Sequence, residues 1–168
     1  MSGALFRSLM TVTLPLRQGV RAVVLDVDDR ILLVKFRFPD RSFWSTPGGG
    51  IELGETLEIA IRRELREEVG LAEVDLGPVI WQRTHEFEAD EYSGQYEIFF
   101  LVRTSASLVE PSFSEQELMA ENLVGSRWWS VREIREATDE GFSPARLASL
   151  LEELLEDGPS EVIIDTGV

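Results

Sequence analysis

The chain has 168 residues, 43% hydrophobic and 28% charged, and its 16 basic side chains stand against 31 acidic ones for a formal net charge of −15. One domain is expected at this length, and the acid excess argues against a protein that tracks nucleic-acid phosphates, which needs a basic footprint. With no cysteine, one histidine (His85) and one lysine (Lys35), disulfides, thiolate zinc sites, cysteine nucleophiles and multi-imidazole metal clusters are excluded, and a Schiff base has a single candidate residue.

No apolar run approaches the roughly 20 residues of a membrane span. The stretch 9–16 is short and broken by Thr and Pro, so no signal peptide is expected, and the expected location is cytoplasmic. Residues 1–17 read as an extension to a single domain over 1–168. Residues 19–27 and 30–36 are apolar and β-branched around the turn Asp28-Asp29, the pattern of a hairpin. PGGG at 47–50 breaks what precedes it. From Thr56 to Val69 the pattern is helical, with Thr56 as N-cap and Gly70 at the C′ position.

Strands are expected near 78–87 and 95–103. Residues 104–125 form a long, weakly patterned segment carrying Glu110, Glu115, Glu117 and Glu121, either a small helix or a functional loop. SRWWSV at 126–131 reads as a short strand. Ser143-Pro144 reads as N-cap and N1 proline of a helix whose stripe is Leu147, Leu150, Leu151, Leu154 and Leu155, ended by Gly158-Pro159. Alternating strands and helices give a mixed α/β domain with helices packed on a sheet.

The first helix breaks its own pattern. With Leu57, Ile61, Leu65 and Ala60 marking the core face, Glu64 and Glu68 fall within about 20° of the middle of that arc, one turn apart, and Glu67 flanks them. Burying unpaired charge is costly, and two carboxylates at i,i+4 repel, so a cation is expected beside them. Arg63 reaches Glu67 at i+4 but does not serve Glu64 and Glu68 equally. A divalent metal meets the need, because carboxylate oxygens suit hard cations. The alternative is a helix end that emerges into solvent with three ordinary surface glutamates.

The segment GGIELGETLEIAIRRELREEVGL at 49–71 resembles the Nudix box, G-x5-E-x7-R-E-U-x-E-E-x-G-U with U bulky and aliphatic. Gly49, Glu55, Arg63, Glu64, Leu65, Glu67, Glu68, Gly70 and Leu71 fill every specified position. The WSTPGGG approach, the preceding hairpin, the late RWW strand and the C-terminal helix are similar to Nudix domains too. The resemblance implies an α/β/α sandwich with a mixed central sheet. It also implies magnesium- or manganese-dependent hydrolysis of a phosphoanhydride in a nucleoside diphosphate linked to another group.

By position, the resemblance makes Glu64 and Glu68 principal metal ligands, Glu67 a ligand or its supporting partner, and the Gly49 carbonyl a further ligand. Glu55 would support the loop–helix junction or a water-bridged metal, and Arg63 would orient Glu67. Gly70 and Leu71 would be a helix stop and a core plug. The general base would be Glu64 or a glutamate of the later loop, Glu115, Glu117 or Glu121, with Glu121 favoured among these.

Outside the box, Arg37, Arg41, Arg83 and Arg103 are candidates for phosphate contacts and Phe43, Trp44, Trp81 and Phe87 for base stacking. Surface and core roles are the competing readings, and His85 reads as an ordinary strand residue. The proline that marks ADP-ribose pyrophosphatases in this family falls on Phe87 here. The expected partner is a small nucleotide, with no nucleic-acid polymer and no membrane, and homodimerisation is left open. The competing function is a catalytically silent module that binds a nucleotide for regulation. A Nudix-type isoprenoid diphosphate isomerase, which uses cysteine in its common form, does not suit a chain without one.

Overall fold

The computed structural model of the chain describes residues 14–87, 91–106 and 108–168. Strand β1 (Leu16–Leu25) and β2 (Ile31–Arg37) follow the first apolar runs, and β3 (Ser42–Ser45) and β4 (Gly48–Gly50) lead into helix α1 (Leu57–Val69). Then come β5 (Asp75–Glu86), β6 (Gly94–Arg103), α2 (Glu115–Ala120), β7 (Leu123–Trp129), α3 (Val131–Glu136), β8 (Phe142–Ser143), α4 (Leu147–Asp157) and β9 (Ile164–Asp165). Most of the extension expected over residues 1–17 lies outside the described residues, and Leu16 already belongs to β1.

The strands form one mixed sheet in the order β8-β3-β2-β1-β6-β5-β9, with β4 beside β1 and β7 beside β2. Its spine is the parallel pair β1–β6, in register from Leu16↔Gly94 to Leu25↔Arg103. The expected hairpin of β1 and β2 is present only at its base, at Leu25↔Ile31. Beyond that pair β1 takes β4 as its neighbour (Val20↔Gly49) and β2 takes β3 (Val34↔Ser45), so the segment 45–50 enters between them. That entry brings the glycine run to the sheet.

Alternation along the central strands sorts the core into two layers. On one face Val20, Ala22, Val24, Leu32 and Val34 pack with Ala60, Ile61, Leu65 and Val69 of α1, with Leu118 of α2 at the margin. On the other, Val23, Leu25, Ile31, Leu33, Trp81 and Phe99 pack with Ile134 of α3 and Leu147, Leu150, Leu151 and Leu154 of α4. Helices therefore cover both faces, as the α/β/α reading requires. Among the described residues no helix is long and apolar enough to cross a membrane.

Local chemistry explains where the elements differ from expectation. The long segment 104–125 holds α2, opened by a capping box in which Ser114 accepts from the Glu117 amide and Glu117 accepts from the Ser114 amide. Ser130 and Glu133 repeat the device at α3, so residues 130 and 131 cap and open a helix rather than extend β7. Ser143 does not cap α4. It is strand β8, paired with Ser45; its carbonyl accepts from Ser45 Oγ (3.1 Å) and its hydroxyl from Arg83 (2.7 Å). Sheet pairing takes Ser143, and α4 begins after Arg146 with no side-chain cap.

Helix α1 ends as the sequence indicates. Gly70 has φ 72° and its amide bonds back to the Arg66 carbonyl. A Cβ at Gly70 would sit 1.9 Å from the carbonyl oxygen of Glu110. Gly70→Ala is therefore expected to cost about 1–3 kcal/mol for the overlap and a further ~1–2 kcal/mol for the left-handed backbone. Urea unfolding monitored by circular dichroism checks this; an unchanged midpoint would contradict it.

Candidate active site

Thr56 Oγ1 accepts from the Ile59 amide (3.3 Å) and starts α1 where the sequence places it. Glu64 and Glu68 lie on the buried face, 8% and 6% exposed, beside Ile61 and Leu65. Leu57, taken as the start of that face, is 39% exposed, and burial along α1 begins at Ala60. The two carboxylates do not emerge into solvent.

Arg63 does more than reach Glu67. Its Nε and Nη2 grip both oxygens of Glu55 (2.7 and 2.9 Å), and Nη2 also donates to the Gly50 carbonyl (3.0 Å). Nη1 bridges Glu64 Oε1 (2.8 Å) and Glu67 Oε2 (3.2 Å). Glu55 also accepts from the Glu52 amide (2.8 Å), so the loop before α1 is tied to the helix. The Arg63 hydrogen bonds and that amide pull the Glu55 carboxyl down to about 2 and hold the guanidinium above its ordinary range.

A second cation comes from a strand far away in sequence. Arg21 of β1 donates from Nη1 to the carbonyls of Thr46 (3.1 Å) and Gly48 (2.8 Å), and from Nε to Glu97 of β6 (2.7 Å). Glu97, 2% exposed, also accepts from Arg83 of β5, which in turn donates to Ser143. Burial alone would raise the Glu97 carboxyl, but its two arginines bring it to about 2. Arg83 is thus 5% exposed and committed to this chain of bonds, not free for phosphate. A single charged residue inside each of the apolar runs GVRAVV and QYEIFF was the sequence signal for Arg21 and Glu97.

The glycine run closes the site. Gly48, at φ 136°, donates its amide to Glu68 Oε2 (2.8 Å). A Cβ on Gly49 would lie 2.6 Å from Glu64 Oε1, so the backbone is pressed against that carboxylate and a side chain there would have to displace it. Desolvation raises the carboxyls of Glu64 and Glu68, the latter to about 8, with Arg21 and the Gly48 amide working against the rise at Glu68.

The donor set fits a hard divalent cation in part. Two buried carboxylates meet beside a glycine backbone, and among the described residues Glu64 Oε2 and Glu68 Oε1 receive no hydrogen bond. Glu67 stays on the flank with Arg63, and among the described residues no three acidic or histidine side chains form a ready-made cluster. A cation here would need two carboxylates completed by backbone, water or substrate oxygens, the usual situation for magnesium.

The later loop separates its three glutamates. Glu117 is consumed by the capping box and Glu115 is exposed in the first turn of α2. Glu121, the C-cap of α2, is exposed, and its charge adds to the rise at Glu68, which places it near the site. Trp44 and Trp81 are core residues. Phe43 joins Phe36 and Phe38 in a group of near-parallel rings that Arg41 covers, and His85 meets Phe87 edge-on. Arg103 pairs with Asp29 on the surface, and Arg37 is exposed.

Comparison with known proteins matches the chain to a family. The family model described as NUDIX domain covers residues 15–151. An RNA pyrophosphohydrolase of Pelagibacter ubique is 42% identical over 65 residues, 39% of this chain and 41% of that protein. One from Orientia tsutsugamushi is 28% identical over 125 residues, 65% of this chain and 78% of that protein. The chain spans less than two thirds of the length of the first curated relatives it matches. A MutT protein from Methanosarcina mazei Go1 superposes with a TM-score of 0.62 at 22% identity, covering 87% of this chain and 97% of that one. The E. coli dihydroneopterin triphosphate pyrophosphohydrolase does so with a TM-score of 0.61 at 19% identity, covering 85% and 99%.

The opposed shifts at Glu68 and Glu97 predict the pH dependence of the metal-free fold. Glu68 is protonated more readily folded than unfolded, so its contribution is full below about pH 4.5 and is lost as pH climbs through about 8. Glu97 works the other way, contributing above about 4.5 and losing that contribution as pH falls toward 2. The thermal midpoint in chelator is therefore expected to fall between pH 5 and pH 8. Glu68→Gln should flatten that fall while keeping an acceptor for the Gly48 amide. Parallel curves for the two proteins would contradict the assignment.

Proposed function

The chain belongs to the Nudix family, and on that premise we propose that it is a divalent-cation-dependent pyrophosphohydrolase acting on a small nucleotide. The observation that carries the reading is the buried Glu64–Glu68 pair against the Gly48–Gly49 backbone. Such a pair is costly to bury and finds its use in holding a hard cation. In this reading Glu64, Glu68 and the Gly49 carbonyl hold magnesium or manganese, with Glu67 supporting them from the Arg63 fork. What the cation supplies when bound is neutralisation of the diphosphate oxygens and a lowered pKa for the attacking water.

The protein's own groups do the rest. Arg63 keeps Glu64 and Glu67 from turning away and ties the loop 50–55 to the helix. Glu121 takes the proton from the attacking water, standing exposed outside the buried pair and close enough for its charge to act on Glu68. Water then adds to a phosphorus of the anhydride and the bridging oxygen leaves with the other phosphate. The net charge of −15 favours a small substrate over a polymer. The curated relatives named RNA pyrophosphohydrolase favour a second reading, a phosphoanhydride carried by an RNA. The catalytically silent module is the weaker alternative, because every specified position of the box is filled.

One panel tests these readings. Nucleoside triphosphates, ADP-ribose, dinucleoside polyphosphates, nucleotide sugars and a 5′-triphosphorylated oligoribonucleotide are offered with Mg²⁺ or Mn²⁺, and released phosphate is read after a coupled phosphatase. Turnover of a free nucleotide that chelator and Glu68→Gln abolish is expected. Turnover of the oligoribonucleotide alone would favour the second reading, and turnover indifferent to chelator would overturn the metal role.

Glu121→Gln separates proton transfer from cation binding. It is expected to lower kcat by roughly 10²–10⁴-fold with Mn²⁺ affinity unchanged. Full activity of that variant would remove Glu121 from the mechanism.

A further inference from the structure

Gly48 is held from two sides. Its amide donates to Glu68 Oε2 (2.8 Å) and its carbonyl accepts from Arg21 Nη1 (2.8 Å). The same Nη1 takes the Thr46 carbonyl (3.1 Å), so one guanidinium spans the turn that delivers Gly48 and Gly49 to the sheet. Arg21 is itself fixed. Glu97 accepts its Nε, Arg83 accompanies Glu97, and Ser143 receives Arg83, so the chain of bonds runs from β8 through β5 and β6 to β1. The side chains of Arg21, Glu97 and Arg83 are 12%, 2% and 6% exposed.

We propose that Arg21 is a positioning residue: its fork, anchored by Glu97, fixes the Gly48–Gly49 peptide and through it the rotamer of Glu68 for cation binding. This rests on the reading of Glu68 as a cation ligand. A guanidinium suits the task because it offers several donors in one rigid plane, two of them used here in directions set by the sheet. A lysine keeps the charge but presents a single nitrogen. The conformation held is one that only glycine adopts here. Gly48 lies at φ 136°, and a Cβ there would sit 2.1 Å from the Val20 carbonyl oxygen.

The turn is thus fixed by strand pairing on one side and by Arg21 on the other. Partners that orient ligands in this way typically contribute 10–100-fold to metal affinity or activity.

The test compares wild type, Arg21→Lys and Glu97→Asp. The second variant keeps every charge but shortens the anchor, drawing the fork away from Gly48. Mn²⁺ binding is measured by electron paramagnetic resonance on protein shown to be folded by circular dichroism, giving stoichiometry and Kd separately. Both variants are expected to bind the same number of ions with Kd raised about 10–100-fold, and to lose kcat while KM for nucleotide changes little. A merely structural role would lower the stoichiometry and leave Kd of the remaining molecules unchanged, which overturns the proposal. Wild-type Kd and kcat in either folded variant would overturn it as well, and wild type that binds no Mn²⁺ would instead refute the cation site itself.

Discussion

Two carboxyl groups buried one helical turn apart are the constraint around which this molecule is arranged. Glu64 and Glu68 occupy positions on α1 that Ile61 and Leu65 continue as ordinary core. The neighbourhood is built to tolerate them. Arg63 reaches Glu64 from the same helix, while the Arg21 charge lowers both carboxyls without touching them and the Gly48 amide caps Glu68. Neither arginine neutralises the pair fully, and both carboxyls remain raised. A protein selected only for stability would place apolar residues there, since a buried ionic group generally repays its desolvation poorly.

The fold serves this arrangement. Because β1 and β2 meet only at Leu25↔Ile31, the segment 45–50 enters between them and β4 lies along β1. That entry places a glycine backbone against α1, where a side chain would have to displace Glu64. On the opposite side the polar chain Arg21–Glu97–Arg83–Ser143 crosses the end of a layer otherwise made of Val23, Phe99 and Trp81. Its residues come from four strands, so the position of Gly48 depends on sheet pairing distant in sequence.

What the sequence disclosed follows the range of the interactions involved. Helix α1 and its two caps are set by spacing within one element and read directly. The same spacing put Glu64 and Glu68 on the core arc but left a helix end emerging into solvent open until the fold buried them. Helix α2 carries a local signal, the capping box of Ser114 and Glu117 at the proper interval, but its weak apolar pattern leaves helix and loop undivided in the sequence. Ser143 shows the converse, a sound local signal overruled by a strand partner 98 residues away. Arg21 was beyond reach, since its use depends on Glu97 and Gly48 meeting it through pairing across the sheet. Arg83 had the right residue type for phosphate binding, but its buried carboxylate partner decides its role.

The central claim is that Glu64 and Glu68 share a divalent cation, and anomalous diffraction from a crystal soaked in manganese tests it most directly. The account predicts an anomalous peak at coordination distance from both carboxylates and near the Gly49 carbonyl. A map without such a peak, in which Arg63 still holds the Glu64 oxygen and Glu68 faces only the Gly48 amide, would contradict it.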